Sequence, residues 1–437
     1  MQVPYTQHTL ANGLNVILHE DHDCPIVGVS VWYHVGSKDE RPGRTGLAHL
    51  FEHLMFEGSE HHDDGYFRPL EEAGAAVNGS TNSDRTNYWE VVPTGALELA
   101  LWMESDRMGF LLPALSRKKF DNQRDVVLNE RRQNYENRPY GLATMALLDG
   151  LYPPDHPYRW PTIGSADDLR ATRLDEAHEF FRTHYGPENA SLALAGDIDP
   201  ELALELVDGC FGPIASRGPA RRPRAVRPLP TLGRDDRRVL EDRVELPRLY
   251  LAWHTPALYS PDDAALDLFA DLLGNGKSSR LYRTLVYDRR IAAELGAVQV
   301  SRELSSYFQV VATAAPGHTL HELDQAFTEE IARAAAHGVP ETELVRAKAR
   351  AEAQFVYRLQ TVGGFRGKCD QLNAYWTFVG DPGFFQRDLD RYRGVTSDHL
   401  RETVAAYLPA DRRLALCVVP AGRTDLALPG SAPVFVS

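Results

Sequence analysis

A stretch dense in Pro and Arg, "GPIASRGPARRPRAVRPLPTLGRD" at 212–235, divides this 437-residue chain almost in half. It has no spacing that a helix or strand could use to bury one face, so it reads as an exposed, semi-rigid connector. Surface-to-volume scaling already disfavours a single core in a chain this long, and the connector says where the division falls. The expected organisation is a first domain over 1–212, a linker over 213–235 and a second domain over 236–437. With 43% of its residues hydrophobic and 25% charged, the chain has the composition to fill two cores.

The two halves open alike. In the first, "LNVILHE" and "IVGVSVWYHV" have the β-branched and aromatic enrichment of strands, and the helical run "GLAHLFEHLMFEGS" follows at 46–59. Next come a helix, "GYFRPLEEAG", stopped at Gly74, two extended segments flanking the polar turn of "AAVNGSTNSDRTNYWEVVP", and helix over 95–135. The second half begins with a strand, "VELPRLYLAWHTPA", and then a helix ended by Gly, "DDAALDLFADLLGNGKSSRLYRTLV". Setting Phe51 on Phe269 matches the apolar frames and puts Asp267, Ala270 and Asp271 where the first half has His49, Glu52 and His53. This order predicts an internal duplication whose second copy has lost the ionisable set.

A formal charge of −14, from 61 acidic and 47 basic side chains, argues against nucleic acid or an anionic membrane as partner. Cys24, Cys210, Cys369 and Cys417 lie far apart, which suits core thiols and neither a zinc ribbon nor a disulfide framework. The opening "MQVPYTQHTLANGLNVILHE" has no basic start followed by an apolar block, and no run approaches a membrane span. A cytoplasmic protein is expected, or a periplasmic one if a leader has been removed.

The run at 46–59 places His49, Glu52 and His53 inside a helix that otherwise wants to be core. Residues four apart share a helix face, so His49 and His53 can direct ring nitrogens at one point, where a metal ion would sit. Glu52 is displaced around the axis from His53, so its carboxylate can stand beside the metal as a general base without binding it. Each group would cost on the order of 1–3 kcal/mol to desolvate unpaired, and Zn2+ is the most economical partner for two imidazoles. A catalytic zinc takes three protein ligands and keeps one position for water. The richest candidate for the third ligand is Glu130 in "VVLNERRQNYENRPYG".

The order His-x-x-Glu-His, followed far downstream by Glu130, resembles the pitrilysin-type inverzincin metallopeptidases, in the branch of the mitochondrial processing peptidase and its bacterial relatives. The resemblance continues through "VNGSTNSDRTNYWEVVP" and, in the second half, "LLGNGKSSRLYRTL". It implies that His49, His53 and Glu130 bind zinc and that Glu52 takes a proton from a zinc-activated water and passes it to the leaving amine. It further implies that peptide substrates add as a strand to a sheet edge near the site, at the segment holding Ala76, Asn78 and Gly79, with Asn78 contacting substrate backbone. The implied fold is α+β: two similar domains, each an antiparallel sheet covered by helices.

Two departures from the family pattern matter. A Glu that often supports the site from seven residues before the ligand Glu is here Gln123, which can still hydrogen-bond. An Arg and a Tyr seven residues apart, which in active relatives hold the substrate carbonyl, fall in "LVYDRRIAAELG" on Val286 and Ala293. A register shift to Arg289 or Tyr287 would point those side chains elsewhere. A heterodimer is therefore expected, in which a homologous non-zinc subunit brings the missing pair. The alternative is a non-catalytic structural or binding subunit of the same fold. Three other features read as bland: "SEHHDD" at 59–64 as a solvated turn, "RRPRAVR" as connector, and "LLGNGKSS" as a loop without Walker spacing.

Overall fold

The segments Ile26–Tyr33, Ala190–Gly196, Arg248–Thr255 and Leu414–Pro420 form strands that are buried along almost their whole length. Strands of that kind need cover on both faces of their sheet. The computed structural model describes residues 3–218 and 228–436 and divides into two compact units that meet this need in the same way.

The first unit comprises residues 1–131, 160–224 and 354–387. Its six strands are β1 (Thr6–Thr9), β2 (Asn15–Glu20), β3 (Ile26–Tyr33), β4 (Ala76–Thr81), β5 (Thr86–Pro93) and β6 (Ala190–Gly196), in the order β1-β2-β6-β3-β5-β4. The pair β2–β6 is parallel and all others are antiparallel. One face carries the helix Leu47–Leu54, and the helix Lys368–Val379 packs on β3 and β6. Behind that second helix Gly28 and Gly363 meet backbone to backbone, where a Cβ on Gly28 would come within 2.8 Å of the Gly363 Cα. Asp370 on the same helix accepts hydrogen bonds at 2.9 Å from both Trp32 Nε1 and Asn87 Nδ2.

The second unit comprises residues 132–159, 225–353 and 388–437. Its strands are β7 (Asp236–Asp242), β8 (Arg248–Thr255), β9 (Ala292–Val300), β10 (Ser306–Ala314), β11 (Leu414–Pro420) and β12 (Ala432–Pro433), in the order β12-β7-β11-β8-β10-β9. Without the outermost β1 and β12, the two sheets have the same five-strand order and the same directions, with one parallel pair, β2–β6 or β7–β11. The expected duplication is visible in this topology. The helix Asp263–Gly274 follows β8 as Leu47–Leu54 follows β3.

Two similar α+β units are thus present, with sheets that are mixed where wholly antiparallel ones were expected. The parallel pairs arise because β6 and β11 enter their sheets late, after helical crossovers. The division also differs from sequential domains over 1–212 and 236–437. The halves exchange segments: 132–159 belongs to the second unit, where the helix Ala143–Leu151 covers β8 and β11, and 354–387 belongs to the first. Of the linker expected over 213–235, residues 219–227 lie outside the described residues, and the rest carry no helix or strand.

One buried group in the second unit has a measurable consequence. His254 on β8 is 7% exposed and packs on Tyr152 with ring centroids 5.1 Å apart. Burial, helped by nearby His156, pulls its pKa from 6.5 down to about 4. A folded-state pKa below the unfolded one means stability that is fully present above about pH 6.5 and lost as pH falls toward 4, by about 3 kcal/mol at the low end. Thermal scans between pH 7 and 4 should therefore show a smaller acid-induced loss for His254→Phe than for the unmodified chain.

Candidate metal centre

The helix Leu47–Leu54 buries Leu47, Ala48, Leu50, Phe51 and Leu54, and Phe51 packs among Phe180, Phe181 and Tyr185 at centroid distances of 5.9, 5.7 and 5.3 Å. That stripe fixes the rotation of the helix about its axis, which leaves His49, Glu52 and His53 half-buried on another face. Its N-terminus is held from outside. Gly46, in the left-handed region with φ 92°, has no side chain to cap with. The Glu40 carboxylate instead accepts the amides of Gly46 at 2.9 Å and Ala48 at 2.8 Å, and Asp168 accepts the Thr45 amide at 3.0 Å.

The second helix, Arg117–Arg131, packs against the first and carries Glu130 near its end. Its neighbour Arg131 is buried and donates from Nε to the Gly164 carbonyl at 3.2 Å, which anchors this end of the helix. Glu130 Oε2 lies 3.7 Å from His49 Nε2 and 3.4 Å from His53 Nε2. Among the described residues, His49, His53 and Glu130 are the group whose donor atoms could hold a metal ion, all within 4.8 Å of one another. Tetrahedral zinc with bonds near 2.1 Å requires donors about 3.4 Å apart. The donor set and its spacing fit zinc.

Burial drives the His49 pKa down, against the pull of Glu52 and Glu130, so this ring is neutral and ready to ligate at neutral pH. Its Nδ1 is buried with no hydrogen-bond partner among the described residues. For His53, burial also pulls downward, but the hydrogen bond to Glu130 and the charge of Glu52 outweigh it and leave the pKa raised. Glu52 lies between His49 and His53 on the same helix and is half-buried.

Gln123 donates from Nε2 to Glu57. Among the described residues β4 pairs only with β5, which leaves its other edge without a partner strand. Ala76 and Asn78 are exposed on it, whereas Gly79 is buried where a Cβ would meet Tyr88 and Phe56 at 3.0 and 3.1 Å. Asn78 Oδ1 accepts the Gly79 amide at 2.7 Å. In the second unit Val286 packs against the core and Ala293 is exposed on β9, while Tyr287 is 75% exposed and Arg289 is exposed. In "SEHHDD", Ser59 and His61 are tied to buried Asp106, and neither His61 nor His62 joins the metal-ligating group.

Two supports of the helix Leu47–Leu54 and its surroundings escaped the sequence reading: Glu40 and Arg107. Arg107 is fully buried, donates to Glu104 and Glu90, and lies over the rings of Tyr66 and Tyr88 at 3.9 and 4.1 Å. A signal existed. Strand alternation puts Glu90 on the inward face with Tyr88 and Val92, and a carboxylate there demands a buried cation.

A duplicated α+β fold whose first copy brings two imidazoles and a carboxylate to one point offers a candidate metal site, the one such group among the described residues. The chain belongs to the M16 family of peptidases. The family model described as "Insulinase (Peptidase family M16)" matches residues 15–153, and "Peptidase M16 inactive domain" matches 172–351. Among curated relatives, the zinc protease PqqE of Helicobacter pylori is 29% identical over 362 residues, covering 82% of this chain and 81% of that one. An uncharacterised zinc protease of Streptomyces coelicolor is 26% identical over 420 residues, covering 94% and 88%. Among solved structures, a protease from Helicobacter pylori superposes with a TM-score of 0.87 at 25% identity, covering 96% of this chain and 100% of that one. No described helix is long and apolar enough to cross a membrane.

Proposed function

We propose that the chain is the zinc-bearing subunit of a metallopeptidase that cleaves peptides or unfolded segments. The observation that carries this reading is the meeting of His49, His53 and Glu130 at separations suited to one zinc ion, with Glu52 on the same helix. Zinc held by these residues supplies Lewis acidity and draws the pKa of a water molecule toward ~7. Glu52 accepts the proton that the water gives up and returns it to the leaving amine nitrogen. The open edge of β4 takes an extended peptide by main-chain pairing, so sequence preference is loose and Asn78 contacts the guest backbone.

The second part of the reading concerns what is missing. Val286 and Ala293 offer no cation and no hydroxyl where the family pattern has Arg and Tyr. Absence of one oxyanion donor typically costs about 100- to 1000-fold in rate. We therefore assign the pair to a homologous subunit without the His pair, which completes the site in a heterodimer. The same absence favours the rival reading, a non-catalytic subunit kept for assembly or binding.

Cleavage of a quenched fluorescent peptide separates the two. The purified chain alone is expected to be nearly inactive, and addition of a homologous subunit carrying the Arg and Tyr should raise the rate at least about 100-fold. Full activity alone would overturn the heterodimer. Zinc uptake without cleavage in either arrangement would establish the rival.

A further inference from the structure

The face of β4 that carries Asn78 leads onto a carbon surface one strand further in. Ala76, Asn78 and Ser80 pair in register with Val91, Trp89 and Asn87 of β5. Strand alternation puts all six side chains on one face of the sheet, opposite the face of buried Tyr88 and Glu90. The outer strand is low there. Ala76 is a methyl group, and the two short polar side chains have partners of their own: Asn78 Oδ1 accepts the Gly79 amide at 2.7 Å, and Ser80 Oγ donates to Asn87 Oδ1 at 2.7 Å. The inner strand is high. Trp89 is half-buried and its polar atom, Nε1, is buried, so the indole shows only carbon.

Phe365 meets this indole edge to face, with ring centroids 5.3 Å apart and planes at 82°, and is itself 47% exposed. The loop that holds it there is tightly seated. Gly363 lies so close on β5 that a Cβ would come within 2.8 Å of Val91 Cγ2, and Gly364 takes φ 81°. The Gly367 amide donates to the Gly364 carbonyl at 3.1 Å and the Arg366 amide to Asp370 Oδ2 at 2.7 Å. Phe365 is therefore fixed before any guest arrives, which is what lets an exposed aromatic bind without a large ordering penalty.

A strand paired with the free edge of β4 would turn every second side chain onto this face. The guest residue opposite Asn78 would have its Cα two strand spacings, about 10 Å, from that of Trp89. A methyl group at that position stops short, whereas an aromatic ring crosses the low strand and reaches Trp89 and Phe365, which offer it carbon and no charge. We propose that Trp89 and Phe365 form a side-chain subsite that selects an aromatic residue at the guest position opposite Asn78. The inference rests on the reading of the β4 edge as the peptide site, and it adds one point of selection to main-chain pairing that is otherwise indifferent to sequence.

The test is binding of fluorescein-labelled peptides to the full chain, followed by anisotropy in the Glu52→Gln background so that the peptides stay whole and no partner subunit is needed. The probes are Ser/Thr peptides of about ten residues, the upper length of an ordinary strand, with a single central Phe or with Ala in its place. The Phe peptide should bind about tenfold more tightly than the Ala peptide. Phe365→Ser should bring that ratio to within about twofold of unity, Trp89→Leu should lower it in the same direction, and Phe365→Tyr, which keeps the ring, should preserve it. Copies of both peptides N-methylated at alternate residues cannot pair with β4 and should bind at least about tenfold more weakly. Equal binding of the Phe and Ala peptides, or a ratio that Phe365→Ser leaves unchanged, would overturn the subsite, while sensitivity to N-methylation would keep the β4 reading standing. Binding of neither peptide, or binding indifferent to N-methylation, would overturn the β4 reading, and this inference with it.

Discussion

Glu52→Gln is expected to abolish peptide cleavage in the completed enzyme while leaving zinc bound. Glutamine keeps the size of the side chain and its half-buried place on the helix, but it cannot accept a proton. General acid–base catalysis by a positioned carboxylate is worth about 100- to 10,000-fold, and here one group serves both the attack and the departure of the amine. The loss should therefore lie at the upper end and appear in kcat more than in KM. The proposed ligands are three other side chains, so zinc content by elemental analysis should stay at one ion per chain. Two results would count against the assigned role: activity within tenfold of the parent, or loss of zinc together with activity. The second would move Glu52 among the ligands.

The largest stability effect is expected away from the ligands, at Arg107. Its guanidinium and the carboxylates of Glu90 and Glu104 have no solvent exposure, and Tyr66 donates a further hydrogen bond to Glu90 at 2.9 Å. Burial and the neighbouring Glu104 push the Glu90 carboxyl well above the usual range even with Arg107 present. Arg107→Ala would strand both carboxylates and remove the cation from between Tyr66 and Tyr88. Breaking such a pair from one side costs about 3–5 kcal/mol, which in a unit of this size lowers the thermal midpoint by roughly 10 °C. The effect should reach the site, because Arg107 also lies 5.3 Å from the Phe56 ring, just past the end of the ligand-bearing helix. A midpoint within about 2 °C of the parent would mean that the carboxylates accept protons at little cost.

Much of the site was legible in the sequence because its chemistry is local. The spacing of His49 and His53 is set by helix geometry alone, and Glu52 falls between them by the same rule. Glu130 stood in the sequence only as a candidate third ligand, and the family pattern was needed to single it out, since nothing in a helix of charged residues marks one carboxylate as facing inward. The duplication was half visible: the strand-then-helix order repeats in the sequence, whereas the matching strand order of the two sheets appears only in three dimensions. Val286 and Ala293 were legible as departures, and the structure adds that one is packed and the other exposed.

What the sequence determined by itself were most of the elements, the one-turn spacing of His49 and His53 with Glu52 between them, and the two-fold repetition. These follow from periodicity and composition over short windows, where backbone geometry leaves few choices. Only the tertiary structure decided which segment covers which sheet. The apolar strands β3, β6, β8 and β11 demand cover on both faces, but hydrophobic burial is non-directional, so the demand does not say whether the helix that meets it comes from the same half or the other. Here 354–387 and 132–159 change places. The hold on the helix Leu47–Leu54 was decided in the same way: Glu40 accepts the amides of Gly46 and Ala48 from outside the helix, and polar contacts of that kind leave no period in the sequence.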